Sequence, residues 1–125
     1  MSDMYQAQLL DHARNPRNYG PLTLPQIHGH GTNHSCGDNL DIYAKVEPDG
    51  LVSKLNFTGQ GCVLSQAAAS ITCQAWEGKT VSELSRLTET DVLNLVGIQP
   101  GPMRLNCVLL SWRALNTGLK LWQKD

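Results

Sequence analysis

This chain has no C-x-x-C pair, although it carries four cysteines, at positions 36, 62, 73 and 107. Without that spacing neither a zinc ribbon nor a thioredoxin-type redox site is supported. Charge of one sign is lacking too: 10 Lys and Arg against 11 Asp and Glu leave a formal net charge of −1. Nothing therefore points to a nucleic-acid partner or an anionic membrane. The opening "MSDMYQAQLL" has no basic region ahead of an apolar core, so no signal peptide is expected. Leu55 to Trp76 carries no charge, but Gly59-Gln60-Gly61 and scattered Ser, Thr, Asn and Gln argue against a membrane span. Repeats, linkers and low-complexity tracts are absent. What remains is a single domain over residues 1–125, 41% apolar and 17% charged, expected in the cytoplasm. It is long enough to bury a core without staples. In a reducing compartment, dispersed cysteines serve as metal ligands, nucleophiles or packing residues more readily than as disulfides.

Asp3 and Gln6 form a capping pair for a helix running to about Arg14, with Tyr5, Leu9 and His12 or Ala13 on its buried face. "NPRNYGP" ends it, because Asn15 precedes a proline. Residues 20 to 35 are rich in Gly, Pro and His and offer only a short strand around Ile27 to Thr32. Leu40, Ile42, Ala44 and Val46 then alternate with polar neighbours, the period of a half-buried strand. "PDG" at 48 to 50 turns the chain, and Leu51, Ser53, Leu55 and Phe57 share one face of the return strand. From Val63 to Trp76 the pattern becomes helical, with Leu64, Ala68, Ile71 and Ala75 in one stripe. Capping boxes at Thr80/Glu83 and Thr88/Asp91 announce two short helices, the second closed by Gly97. After "PGPM" a last helix runs to about Trp122, with Leu105, Val108, Leu109, Trp112, Leu115 and Leu119 inward. The order predicts an α+β domain: a small antiparallel sheet with helices.

Three thiols fall at element ends on that map. Cys62 follows "GQG" where strand gives way to helix, and Cys107 lies in the first or second turn of the last helix. Unpaired N–H groups at helix starts favour an anion there. Cys36 precedes a strand and has Asp38 two residues on, with Gly37 as a hinge. Cys73 is mid-helix, about 16 Å along the axis from Cys62 at ~1.5 Å per residue, and reads as a packing residue. Three thiolates and one carboxylate suit either tetrahedral Zn²⁺ or a small iron–sulfur cluster. The hard carboxylate is the weakest partner for a soft metal, which suggests a site meant to open.

"DHARNPRNYG" at 11 to 20, "CGDNLDIYAKV" at 36 to 46, "FTGQGCVLSQAAAS" at 57 to 70, "GKTVSEL" at 78 to 84 and "MRLNCVLLSWRAL" at 103 to 115 together resemble the U-type iron–sulfur cluster assembly proteins, the IscU/SufU/NifU N-terminal family. The resemblance spans nearly the whole chain in the right order. It implies a small antiparallel sheet with helices packed largely on one face. It also implies that Cys36, Asp38, Cys62 and Cys107 are the metal and cluster ligands. Cys36 and Cys107 would be the leading acceptors of sulfane sulfur from a pyridoxal-phosphate cysteine desulfurase. Downstream cluster acceptors would be further partners, and the chain would be a monomer or weak dimer. The expected occupants are Zn²⁺ as purified and, transiently, iron or a [2Fe–2S] cluster.

This chain also differs from the family's branches. Asn106 stands where the scaffold (IscU) branch has a histidine, and Pro100-Gly101-Pro102-Met103-Arg104 replaces its Leu-Pro-Pro-Val-Lys segment. "RLNCVLLSW" looks nearer the zinc-dependent sulfur-acceptor (SufU) branch, yet that branch's insertion before the third cysteine is missing. His34 takes a place where a proline is common; like His28 and His30 it is expected to be solvated. The leading expectation is a cluster-assembly scaffold and sulfur acceptor. Zinc-dependent sulfur transfer without a cluster and a structural zinc module are the alternatives. A thiol hydrolase using Cys107 is disfavoured, because every histidine precedes residue 35 and no oxyanion motif is evident.

Overall fold

The computed structural model describes residues 3–34 and 37–123. Helix α1 (Asp3–Arg14) is followed by strands β1 (Ile27–Asn33), β2 (Asp38–Val46) and β3 (Val52–Gln60). Helices α2 (Val63–Trp76), α3 (Val81–Ser85), α4 (Glu89–Val96) and α5 (Pro102–Gln123) complete the chain. The strands form one antiparallel sheet in the order β1-β2-β3. Among the described residues no helix is long and apolar enough to cross a membrane.

Alternation decides which side of the sheet is covered. Leu40, Ile42 and Ala44 of β2 point into the core, as do Ile27 of β1 and Leu55 and Phe57 of β3. Helices α2 and α5 pack on that side. The opposite face is polar and carries His28, His30, Asp41, Tyr43 and Thr58. The expected α+β class with helices on one face is what forms.

The phase of β3 differs from the expectation. Lys45 pairs with Lys54 but Val46 pairs with Val52, so Ser53 is an extra residue on β3. A one-residue bulge reverses which side chains face inward. Val52 is consequently buried with Leu55 and Phe57, whereas Leu51 and Ser53 are only half-buried. Leu51 lies outside the strand and bridges to Thr80.

Helix α5 approaches β1 more closely than side chains normally permit. A Cβ on Gly29 would overlap the Ala114 carbonyl oxygen, and one on Gly118 would come 2.8 Å from Ile27 Cγ2. The two glycines therefore let helix and strand meet backbone to backbone. Helix α2 is buried nearly all round, and its small residues Ala67, Ala68, Ala69 and Ser70 admit neighbours on several sides. Trp76 closes its inner face, and Ala75, expected inward, is exposed. Ser70 Oγ accepts from Arg17 N at 2.7 Å and lies 2.7 Å from His12 Nδ1, joining α1 and the following loop to α2. Leu9 and Ala13 are half-buried beside it. Both expected capping boxes form, and Gly97 closes α4 in the left-handed conformation.

Candidate metal centre

Three of the four expected ligands meet where β2, α2 and α5 converge. Asp38, the first residue of β2, is 1% exposed. Its Oδ1 accepts a hydrogen bond from Cys62 N at 2.7 Å, and the Cys62 thiol lies 3.7 Å from Oδ2. Cys62 is the N-cap of α2, where its sulfur accepts from Ser65 N at 3.4 Å. A sulfur at this position satisfies one of the helix's unpaired N–H groups, the work usually done by an oxygen. Cys107 lies in the second turn of α5 and is 2% exposed. Asp38, Cys62 and Cys107 offer donor atoms all within 4.8 Å of one another. Cys36 lies outside the described residues.

Two supporting residues carry no obvious signal in the sequence. Asn33, the last residue of β1, pairs with Asp38 across the sheet, and its Nδ2 donates to Cys107 Sγ at 3.4 Å. It thus ties strand pairing to Cys107. Gly61 adopts φ 141°, and a Cβ there would overlap Asp38 Oδ1. Only a glycine lets the chain pass so close to the carboxylate.

The residues singled out as doubtful fall elsewhere. Cys73 is fully buried, and burial followed by the charge of Glu77 pushes its thiol well up, so it is inert. Asn106 Oδ1 accepts from Arg113 Nη1 at 2.7 Å on the helix surface. His34 is exposed and within 3.4 Å of Thr32 Oγ1.

The donor set fits a metal ion. Two thiols and a carboxylate are held together, Asp38 and Cys107 buried and Cys62 half-buried, and among the described residues no basic side chain forms an ion pair with Asp38. A cation is the partner that offsets the cost of burying sulfur and carboxylate donors in their charged forms. Four-coordinate zinc with sulfur at ~2.3 Å spans ligand separations of about 3.8 Å, a modest tightening from the present spacing. A cavity of about 450 Å³ opens beside the centre, lined by Leu9, Leu10, Cys62, Val63, Arg104 and Cys107. Both thiols therefore face a space that a partner's chain can enter.

The sequence profile described as "NifU-like N terminal domain" matches residues 4–125. This chain belongs to the NifU-like N-terminal domain family. This NifU-like domain is 34% identical over 133 residues to the iron-sulfur cluster assembly scaffold protein IscU of Thermotoga maritima, covering 94% of this chain and 93% of that protein. It is 30% identical over 136 residues to the zinc-dependent sulfurtransferase SufU of Bacillus subtilis, covering 95% and 91%. Its fold is that of the N-terminal NifU-like protein of Brucella abortus, with a TM-score of 0.78 at 23% identity over 98% of this chain and 96% of the other. The NifU-like domain thus combines the family's sheet-and-helix frame with a centre whose donors sit at element ends.

Proposed function

We propose that this chain is an iron–sulfur cluster assembly protein that accepts persulfide sulfur from a cysteine desulfurase and assembles or relays [2Fe–2S] units. The observation that carries this reading is the convergence of Asp38, Cys62 and Cys107 within 4.8 Å, with both cysteines lining an open cavity. Cys36 completes the ligand set in this reading, and residues 1–125 act as one cytoplasmic domain. Sulfur arrives when a thiolate of this chain attacks the outer sulfur of the desulfurase persulfide. The persulfide S–S bond breaks, and the desulfurase cysteine leaves as thiolate. Iron and the growing cluster are cargo, and Zn²⁺ is the proposed resting occupant, held by Cys36, Asp38, Cys62 and Cys107. The two cysteines assigned to accept sulfur are Cys36 and Cys107.

A second reading, zinc-dependent sulfur transfer without a cluster, is favoured by one feature. Asn106 is turned away to Arg113, so α5 presents no additional nitrogen ligand beside Cys107. Anaerobic reconstitution with a pyridoxal-phosphate desulfurase, cysteine and ferrous iron separates the two. A [2Fe–2S] absorption spectrum that disappears in Cys62→Ser supports the scaffold. Persulfide on the cysteines without any cluster supports the relay, and neither product leaves only a structural metal site.

A further inference from the structure

The outward face of the sheet holds a second group of metal-competent side chains. His28 and His30 alternate onto that face of β1, and His30 lies directly opposite Asp41 of β2. One oxygen, Asp41 Oδ1, is 2.9 Å from His28 Nε2 and 3.0 Å from His30 Nδ1. Partial burial raises the Asp41 carboxyl, but the hydrogen bonds from His28 and His30 outweigh this and leave it below its usual range. Tyr43 stacks on His28 with ring centroids 4.8 Å apart and planes inclined by 13°. Tyr43 is itself tied to Thr58 by a 3.1 Å hydrogen bond between their hydroxyls. The His28 ring is thereby held over the sheet.

We propose that His28, His30 and Asp41 form a second, open site for a borderline divalent cation such as Zn²⁺ or Ni²⁺. Two imidazoles and one carboxylate are a donor set for such ions and a poor one for Ca²⁺ or Mg²⁺, which take oxygen ligands. The geometry is half prepared. Adjacent ligands at ~2.1 Å in a square-planar or tetragonal Ni²⁺ site stand about 3.0 Å apart, the separation already found between each imidazole nitrogen and Asp41 Oδ1. Among the described residues only the thiol trio has all its donors within 4.8 Å, so His30 must swing toward the held His28 ring as the ion enters. Its side chain is 51% exposed and has the freedom to do so.

Protons balance without release from the pair. An imidazole that directs its N–H at Asp41 binds the ion through that nitrogen once the proton has moved, through solvent, to the ring's other nitrogen and freed the lone pair. The ion is distinct from that of the thiol centre. Asp41 is three residues beyond Asp38 and on the other face of the sheet, about 10 Å along the strand at ~3.4 Å per residue.

The test is titration of the as-purified protein, its metal content already determined, with Ni²⁺ followed by calorimetry and NMR. One further Ni²⁺ per chain is expected, with paramagnetic broadening centred on Tyr43 and Thr58. His30→Gln and Asp41→Asn should each weaken binding by about tenfold or more, and His34→Gln should leave it unchanged. His30 is half exposed and Asp41 lies on the outward face of the sheet, away from the core, and a melting curve of each variant confirms the fold; His28→Gln provides an independent variant. The proposal is overturned by unchanged affinity in His30→Gln, by Ni²⁺ that displaces the metal of the thiol centre, or by no broadening at Tyr43.

Discussion

Gly61→Ala is the substitution whose effect the geometry defines most sharply. The new Cβ would lie 2.7 Å from Asp38 Cγ and 2.8 Å from Asp38 Cα, besides overlapping Oδ1. A rotamer change cannot relieve contact with a Cα, so the chain at 61 and the start of β2 must separate. Alanine at φ 141° adds backbone strain of roughly 1–3 kcal/mol. Loss of the bond from Cys62 N to Asp38 adds about 0.5–1.5 kcal/mol. Together these give ~1.5–4.5 kcal/mol, or about 6–18 °C in melting temperature at ~4 °C per kcal/mol. Gly20→Ala is the control, since Gly20 has φ 124° but nothing within 4 Å of its Cβ position. It should reproduce the strain alone. Differential scanning fluorimetry and metal content per chain, measured on both variants, decide the point. Gly61→Ala should melt lower than Gly20→Ala and lose most of whatever metal the as-purified protein holds. Equal melting temperatures with full metal content in both would show that Asp38 is not held by close passage of residue 61.

Other outcomes follow from the same structure. Cys73→Ala should retain zinc and sulfur acceptance and lose on the order of 1 kcal/mol of stability; loss of metal would mean that this thiol is a ligand after all. Burial, and secondarily the charge of Arg17, depress the His12 ionisation, against a weaker opposing effect of Asp11. The unfolded chain then binds a proton more readily than the folded one. The stability His12 lends as a neutral ring is complete above pH ~6.5 and is lost as pH falls through its depressed folded value, at no more than about 1.4 kcal/mol per pH unit. Urea melts between pH 5 and 8, taken as a span around that ~6.5 reference, should show a shallower slope in His12→Gln; an unchanged slope would place the titration elsewhere. A chelator should lower the melting temperature and expose additional titratable thiols, as expected where metal binding is coupled to folding. Cys36 should accept sulfur first, since the Gly37 hinge lets it leave the metal at least backbone cost, and mass spectrometry of the alkylated protein reads this directly. An early adduct of one sulfur on the Cys107 peptide, with none on that of Cys36, would reverse the order.

Local signals made much of the frame legible. Thr80 with Glu83 and Thr88 with Asp91 are contacts within one turn, so residues three apart suffice to foresee them. The alternation from Leu40 to Val46 marks a strand because one face is buried. Sequence-distant features escaped. Asn33 matters only because β1 pairs in one register with β2 and α5 folds back over both, a juxtaposition that spacing cannot reveal. β1 itself is weakly marked, since two of its core-side positions are glycines that remove the hydrophobic pattern. Ser53 looks like any polar strand residue, yet as a bulge it reverses the inward set around it. At the centre, residue types at element ends pointed to Asp38, Cys62 and Cys107, whereas the constraint on Gly61 required seeing what lies beside it.

The glycine crossing of α5 over β1 gives the centre a fixed side and a yielding side. Gly29 and Gly118 bring the two backbones into contact, leaving no side chains between them to slide or repack. Asn33 at the end of that strand bonds Cys107 on that helix, so this thiol is seated on a rigid joint. Cys62, by contrast, caps the first turn of α2 beside a glycine at the cavity rim, and is half-buried where Cys107 is buried, with its hydrogen bonds going to Asp38 and to its own helix at Ser65. Expansion from a mononuclear ion to a larger inorganic core would therefore be taken up by the Cys62 side while Cys107 keeps its place. Hydrogen exchange on metal removal should accordingly quicken at residues 61–66 and leave 110–118 protected; equal quickening of both segments would mean that the joint is not rigid.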